Sequence, residues 1–232
     1  MNLEQANLYP TDVRYGMVDF FTQEDLKQIQ DMMENRLRNK QVLNEIHSQP
    51  ANTDPGLFEL PGHIIMRLKD LFEKTALEMH ESVYPNMKDK FRILDTTCTG
   101  VVHGQMTHDT PRCHVPWMYS GMFTVSIPSG LAYPEGSVTF LDPRPYSAEV
   151  DLIQLEAKPG MLVIFPSWQR YVVNPIKKSK EYQFTLIMNT LLMHDTSYKE
   201  NVTYVDKTTS NESVDVLNLT DSDSGEVDIG RF

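Results

Sequence analysis

Hydrophobic and polar positions change period once along this chain, from helical spacing to strict alternation. Leu26, Ile29, Met33 and Leu37 recur at helical intervals, with Glu24, Lys27, Gln28 and Asp31 on the other face, which predicts an amphipathic helix. Thr22 and Asp25 mark its start as a capping box with Asp in place of Glu. Phe21 and Leu26 have the spacing of a hydrophobic staple. A second helix is predicted after Pro61-Gly62, with Ile65, Leu68, Phe72 and Met79 on one stripe, ending before Pro85. Met32, Met33, Met66 and Met79 fall within these helices, where such spacing indicates core packing.

From about residue 91 the period becomes two. In GMFTVSIP, Phe123, Val125 and Ile127 alternate with Thr124 and Ser126, the pattern of a half-buried strand. SVTFLDP alternates Val138 and Phe140 and ends in the proline-rich turn DPRPY. MLVIFP is a short buried run introduced by the turn KPG, QFTLIMNTLLM continues the pattern, and VTYVD is an expected edge strand. Helices first and short antiparallel strands afterwards indicate a mainly β fold. The expected architecture is a jelly roll buttressed by two N-terminal helices: helical support over 1–90, a β core over 91–205, and an extended acidic C-terminal arm over 206–232.

Composition narrows the function classes. Hydrophobic content of 40% with 23% charged residues suits a globular protein. No run approaches the ~20 apolar residues a membrane span needs, so no membrane role is expected. The N-terminus MNLEQANLYP lacks a basic stretch followed by an apolar one, so no signal peptide is expected. Cys98 and Cys113 are read as two free thiols. A net charge of −11 repels phosphate and argues against nucleic-acid binding. Seven acids against Lys207 and Arg231 concentrate −5 of that charge between Asp206 and Phe232. The arm holds too few apolar residues for a core, so its expected partner is another protein chain.

Five motifs occur in order: LYPTDV, His114 with Ser120-Gly121, FLDPR at 140–144, PGMLVIFPSW at 159–168, and a closing strand from Gln183 to Asn189. In this order they resemble the 2-oxoglutarate/Fe(II)-dependent oxygenase family of marine bacteria and tailed phages. The resemblance spans most of residues 8–190 and implies a double-stranded β-helix. It also implies iron held by two histidines and a carboxylate or third histidine, with an arginine on the cosubstrate carboxylate.

The residues at those places depart from the family pattern. Where the first ligand pair stands, the chain reads RCH, with Arg112 at one ligand position and His114 at the other. Tyr171 stands at the distal ligand position and Gln183 at the cosubstrate arginine. A phenol with a pKa near 10 is a poor Fe(II) ligand, and an amide makes no ion pair with a carboxylate. His103, His108-Asp109, Cys113 and His194-Asp195 are read as loop or surface groups. A shifted register would make His108 or Asp109 a ligand instead.

The expectation from sequence is therefore a non-catalytic structural or interaction protein on a degenerate oxygenase-like jelly roll. The resemblance makes it a component of a phage particle (neck, tail or baseplate), found in the virion or the host cytoplasm. No catalytic, cofactor-binding or metal residue and no cofactor is expected. Two alternatives stay open. One is an oxygenase with Fe(II) and 2-oxoglutarate, for which His114 is the best single ligand. The other is a small-molecule binding module.

Overall fold

The computed structural model describes residues 4–8, 11–39, 49–59, 62–87, 90–107, 109–142 and 153–194. The chain splits into Met1–Tyr198 and Lys199–Phe232, and every described residue lies in the first unit. The expected edge strand VTYVD and the 206–232 arm fall outside the described residues.

Helix α1 spans Gln23–Asn39 and α2 spans His63–Val83. The Thr22 amide donates to Asp25 Oδ2 at 2.8 Å, and the Asp25 amide donates back to Thr22 Oγ1 at 3.2 Å. The capping box thus closes and satisfies amides that a helix start leaves without partners. Both predicted apolar stripes are buried in one cluster. Of the four helical methionines, Met33 and Met79 are fully buried, Met32 is half-buried, and Met66 is exposed on the outer face.

The strands are β1 (Glu4–Leu8), β2 (Thr11–Met17), β3 (Ala51–Asn52), β4 (Phe91–His103), β5 (Tyr119–Ser126), β6 (Val138–Phe140), β7 (Ile153–Leu155), β8 (Met161–Pro166), β9 (Tyr171–Val173) and β10 (Gln183–His194). Seven pair in the order β1-β2-β8-β5-β10-β4-β3 and three as β7-β6-β9, with antiparallel neighbours throughout. This is the expected jelly roll, mainly β with two supporting helices.

Side chains on a strand alternate between faces, so the central strands β8, β5, β10 and β4 of the large sheet serve two cores. Phe123, Leu162, Leu186 and Met188 pack against the helices. Val101, Met122, Val163 and Ile187 instead meet Val138, Phe140, Tyr171 and Val173 of the small sheet. A side chain at Gly121 would put its Cβ 2.8 Å from the Phe72 ring. Only glycine therefore lets α2 seat on β5, which gives the Ser120-Gly121 step its physical reason.

Candidate functional site

The segment before β5 crosses the turn between β8 and β9 at one end of the barrel. The Arg112 amide donates to the Tyr171 carbonyl and the Tyr171 amide to the Arg112 carbonyl, both at 3.1 Å. The His114 amide donates to the Ser167 carbonyl at 2.8 Å. These bonds bring Arg112 and His114 to Tyr171, which lies far from them in sequence. His114 Nε2 and the Tyr171 hydroxyl are hydrogen-bonded at 2.8 Å, and their rings stack with centroids 5.7 Å apart. Tyr171 is also packed edge-on against Phe165 at 5.3 Å.

Burial sets the electrostatics of this pair. The His114 imidazole is pushed down to about 4, chiefly by burial and then by the Arg112 charge. Burial pushes the Tyr171 phenol well above its ordinary value, against the smaller opposing pull of Arg112. Both groups are thus neutral at physiological pH, and a cation stands beside them.

Asp109, read from sequence as a loop residue, is almost wholly buried, its side chain 1% exposed. It pairs with the Arg112 guanidinium and accepts the Val173 amide at 3.2 Å. Burial works to raise its carboxyl, but His103, the Arg112 charge and the Val173 amide outweigh it and hold the carboxyl low. His103 Nε2 lies 3.7 Å from Asp109, too far for a hydrogen bond. His103 is buried rather than solvated, and neither ring nitrogen has a hydrogen-bond partner. Arg112 stands only three residues on, but nothing local distinguishes Asp109 from a solvated loop acid, because the Val173 amide that also holds it is distant along the chain. His108 and Asp195 lie outside the described residues.

Three of the sequence motifs meet inside the barrel. The Ser120 hydroxyl donates to Asn189 Oδ1 at 2.7 Å and lies 2.7 Å from the Ser167 hydroxyl. Gln183 is elsewhere, paired across the ladder with His103, and its Nε2 donates to the Gly136 carbonyl at 3.0 Å. Gln183 Oε1 and Thr185 Oγ1, both buried on β10, have no partner.

No protein-family model matches the chain, and no curated protein matches it in sequence. Solved structures do match its fold. A Pseudomonas putida prolyl-4-hydroxylase aligns with a TM-score of 0.53 at 13% identity, covering 76% of this chain and 91% of that one. The α-ketoglutarate-dependent carbocyclase SnoK of nogalamycin biosynthesis aligns with 0.53 at 7% identity, covering 78% and 81%. The α-ketoglutarate-dependent epimerase SnoN of the same biosynthesis aligns with 0.52 at 8% identity, covering 86% and 84%. The chain therefore has the fold of the 2-oxoglutarate/Fe(II) oxygenases.

This corrects the expectation that no cofactor is involved. SnoK and SnoN are named for α-ketoglutarate dependence, and SnoN has been solved with Fe3+ and α-ketoglutarate. Iron and 2-oxoglutarate are thus the groups this architecture implies. The side chains that the sequence resemblance assigned to the ligand positions fit iron poorly. Arg112 brings a positive charge, His114 Nε2 is engaged by Tyr171, and Tyr171 is held as a neutral phenol. Among the described residues no three His, Cys, Asp or Glu side chains converge as a metal site. No helix among them is long and apolar enough to cross a membrane.

Proposed function

We propose that this chain is a non-catalytic binding protein on the oxygenase-type jelly roll, taking a small dicarboxylate of the 2-oxo-acid class on Arg112. The observation that supports this reading is the convergence of Arg112, His114 and Tyr171 at one barrel end. A guanidinium grips a carboxylate through two parallel hydrogen bonds, a role for which its fork geometry is suited. Buried Asp109 fixes Arg112 from within, while the Arg112 side chain stays 27% exposed and open to a ligand from solvent. The hydrogen-bonded His114–Tyr171 pair then places a neutral surface beside that charge.

Calorimetry with 2-oxoglutarate, in anaerobic buffer with Fe(II) present, tests the reading. Binding is expected, and Arg112→Gln should weaken it at least about tenfold, as loss of a charge-assisted pair implies. Unchanged affinity in that variant would overturn the anchor. Release of succinate once oxygen is admitted would overturn the non-catalytic part and establish an oxygenase. Attachment of this domain to another chain of a virion through 206–232 is a companion proposal, supported by the acidity of that segment alone.

A further inference from the structure

Outside the barrel, a groove of about 490 Å³ runs between the end of α2, the start of β2 and the 115–119 segment. Its volume falls in the range that holds a small organic molecule. Four aromatic rings line it: Tyr84, Trp117, Tyr119 and Trp168. Tyr84 and Trp168 are each 49% exposed, a large aromatic area left in water. The segment PSW thus divides its duties, with Ser167 inside the barrel and Pro166 and Trp168 on the wall of this groove.

Two buried polar atoms on residues lining the groove lack hydrogen-bond partners. Asp12 Oδ2 lies 3.5 Å from Arg14 Nε, but Asp12 Oδ1 is buried with no donor. His80 is 5% exposed; its Nδ1 meets the Tyr119 hydroxyl at 3.3 Å, and its Nε2 is buried without a partner. A buried carboxylate oxygen without a donor is destabilising, and a ligand that brings the donor relieves it. Aromatic faces attract cations. The cation–π pairs that described residues make lie elsewhere, Arg67 on Phe20 and Lys69 on Phe58, and take up none of these rings. The unpaired carboxylate oxygen, together with a net charge of −11, disfavours an anion here.

We infer that this groove binds a protonated amine carried on an aromatic or aliphatic body. The ammonium N–H donates to Asp12 Oδ1, and the body lies against Trp117, Trp168 and Tyr84. His114 and Tyr171 do not line the groove, so the site stands apart from the dicarboxylate site proposed above.

Phenethylamine and its neutral counterpart 2-phenylethanol, titrated into the full chain by calorimetry, test the inference. The amine should bind at least about tenfold more tightly than the alcohol, reflecting one charge-assisted hydrogen bond. Asp12→Asn should abolish that preference. Trp168→Ala, at a half-exposed position where folding is not at stake, should weaken the amine by about threefold or more. Equal binding of amine and alcohol would overturn the inference. So would amine affinity indifferent to both substitutions, or no binding of the amine at millimolar concentration.

Discussion

On its helix side the seven-stranded sheet meets α1 and α2 through apolar side chains such as Phe123, Leu162, Leu186 and Met188. On its barrel side the same strands carry Ser120, Gln183, Thr185 and Asn189, buried beside Met122, Val163 and Ile187. Apolar packing dominates the first face. The second retains polar groups whose burial is unfavourable unless something pairs with them. Some have found partners within the chain, as in the Ser120–Ser167–Asn189 network and the His114–Tyr171 pair. Others have not, among them Gln183 Oε1 and Thr185 Oγ1. Apolar packing is concentrated on one face and buried polar groups on the other, although both are built from alternate residues of the same strands.

The largest effect should come from breaking the helix face. Phe72 is fully buried against β5, and Phe72→Ala should cost about 3–5 kcal/mol, read from urea unfolding. A loss under about 1 kcal/mol would mean that this face is not the main source of stability.

A smaller effect is expected from the charged pair at the barrel end. Asp109→Ala leaves the Arg112 guanidinium and the Val173 amide without their acceptor, and should cost about 2 kcal/mol. The Asp109 carboxyl is held below its usual value in the folded state, so its contribution is present above the unfolded carboxylate pKa. It is lost as pH falls through the lower folded value. Stability curves of the wild type and Asp109→Asn should therefore converge in acid, and parallel curves would refute the pairing.

Much of the helix face was legible in the sequence. The stripes of α1 and α2 and the Thr22–Asp25 box stand out because one apolar face repeats every three or four residues. The strands β5, β6, β8 and β10 were legible as alternating or continuous apolar runs. By contrast, β4 escaped notice because DTTCTG places Thr97 and Thr99 where alternation would call for apolar residues. The strand β9 is only three residues long, and β2 places the polar Thr11 on the same buried face as Val13. Thr139, between Val138 and Phe140 on β6, is buried as they are, and its hydroxyl accepts from the Asn174 side-chain amide at 2.8 Å. At the site, motif order brought Arg112, His114 and Tyr171 to notice. The burial of Asp109 and His103 was not legible, since it depends on contacts made only in three dimensions.

The hydrogen bond between His114 and Tyr171 should show a smaller energetic effect again. Tyr171→Phe removes one hydroxyl and should cost about 1 kcal/mol. Its pH signature is sharper. The folded His114 titrates near 4 against an ordinary 6.5, so its contribution is full above pH 6.5 and fades as pH falls toward 4. Imidazole resonances of His114 that titrate at an ordinary midpoint would contradict the burial described here. Least of all should be the effect of removing 206–232. If the proposed arm is right, the melting temperature of the domain should stay within a degree or so while association with a partner chain is lost. A truncated domain that unfolds would assign those residues to the barrel instead.

A crystal structure of the protein soaked with 2-oxoglutarate tests the central claim most directly. The account predicts a ligand carboxylate paired with the Arg112 guanidinium beside His114 and Tyr171, with Asp109 still holding Arg112 from within. A dicarboxylate bound away from Arg112, at the Gln183 and Thr185 end of β10, would contradict it.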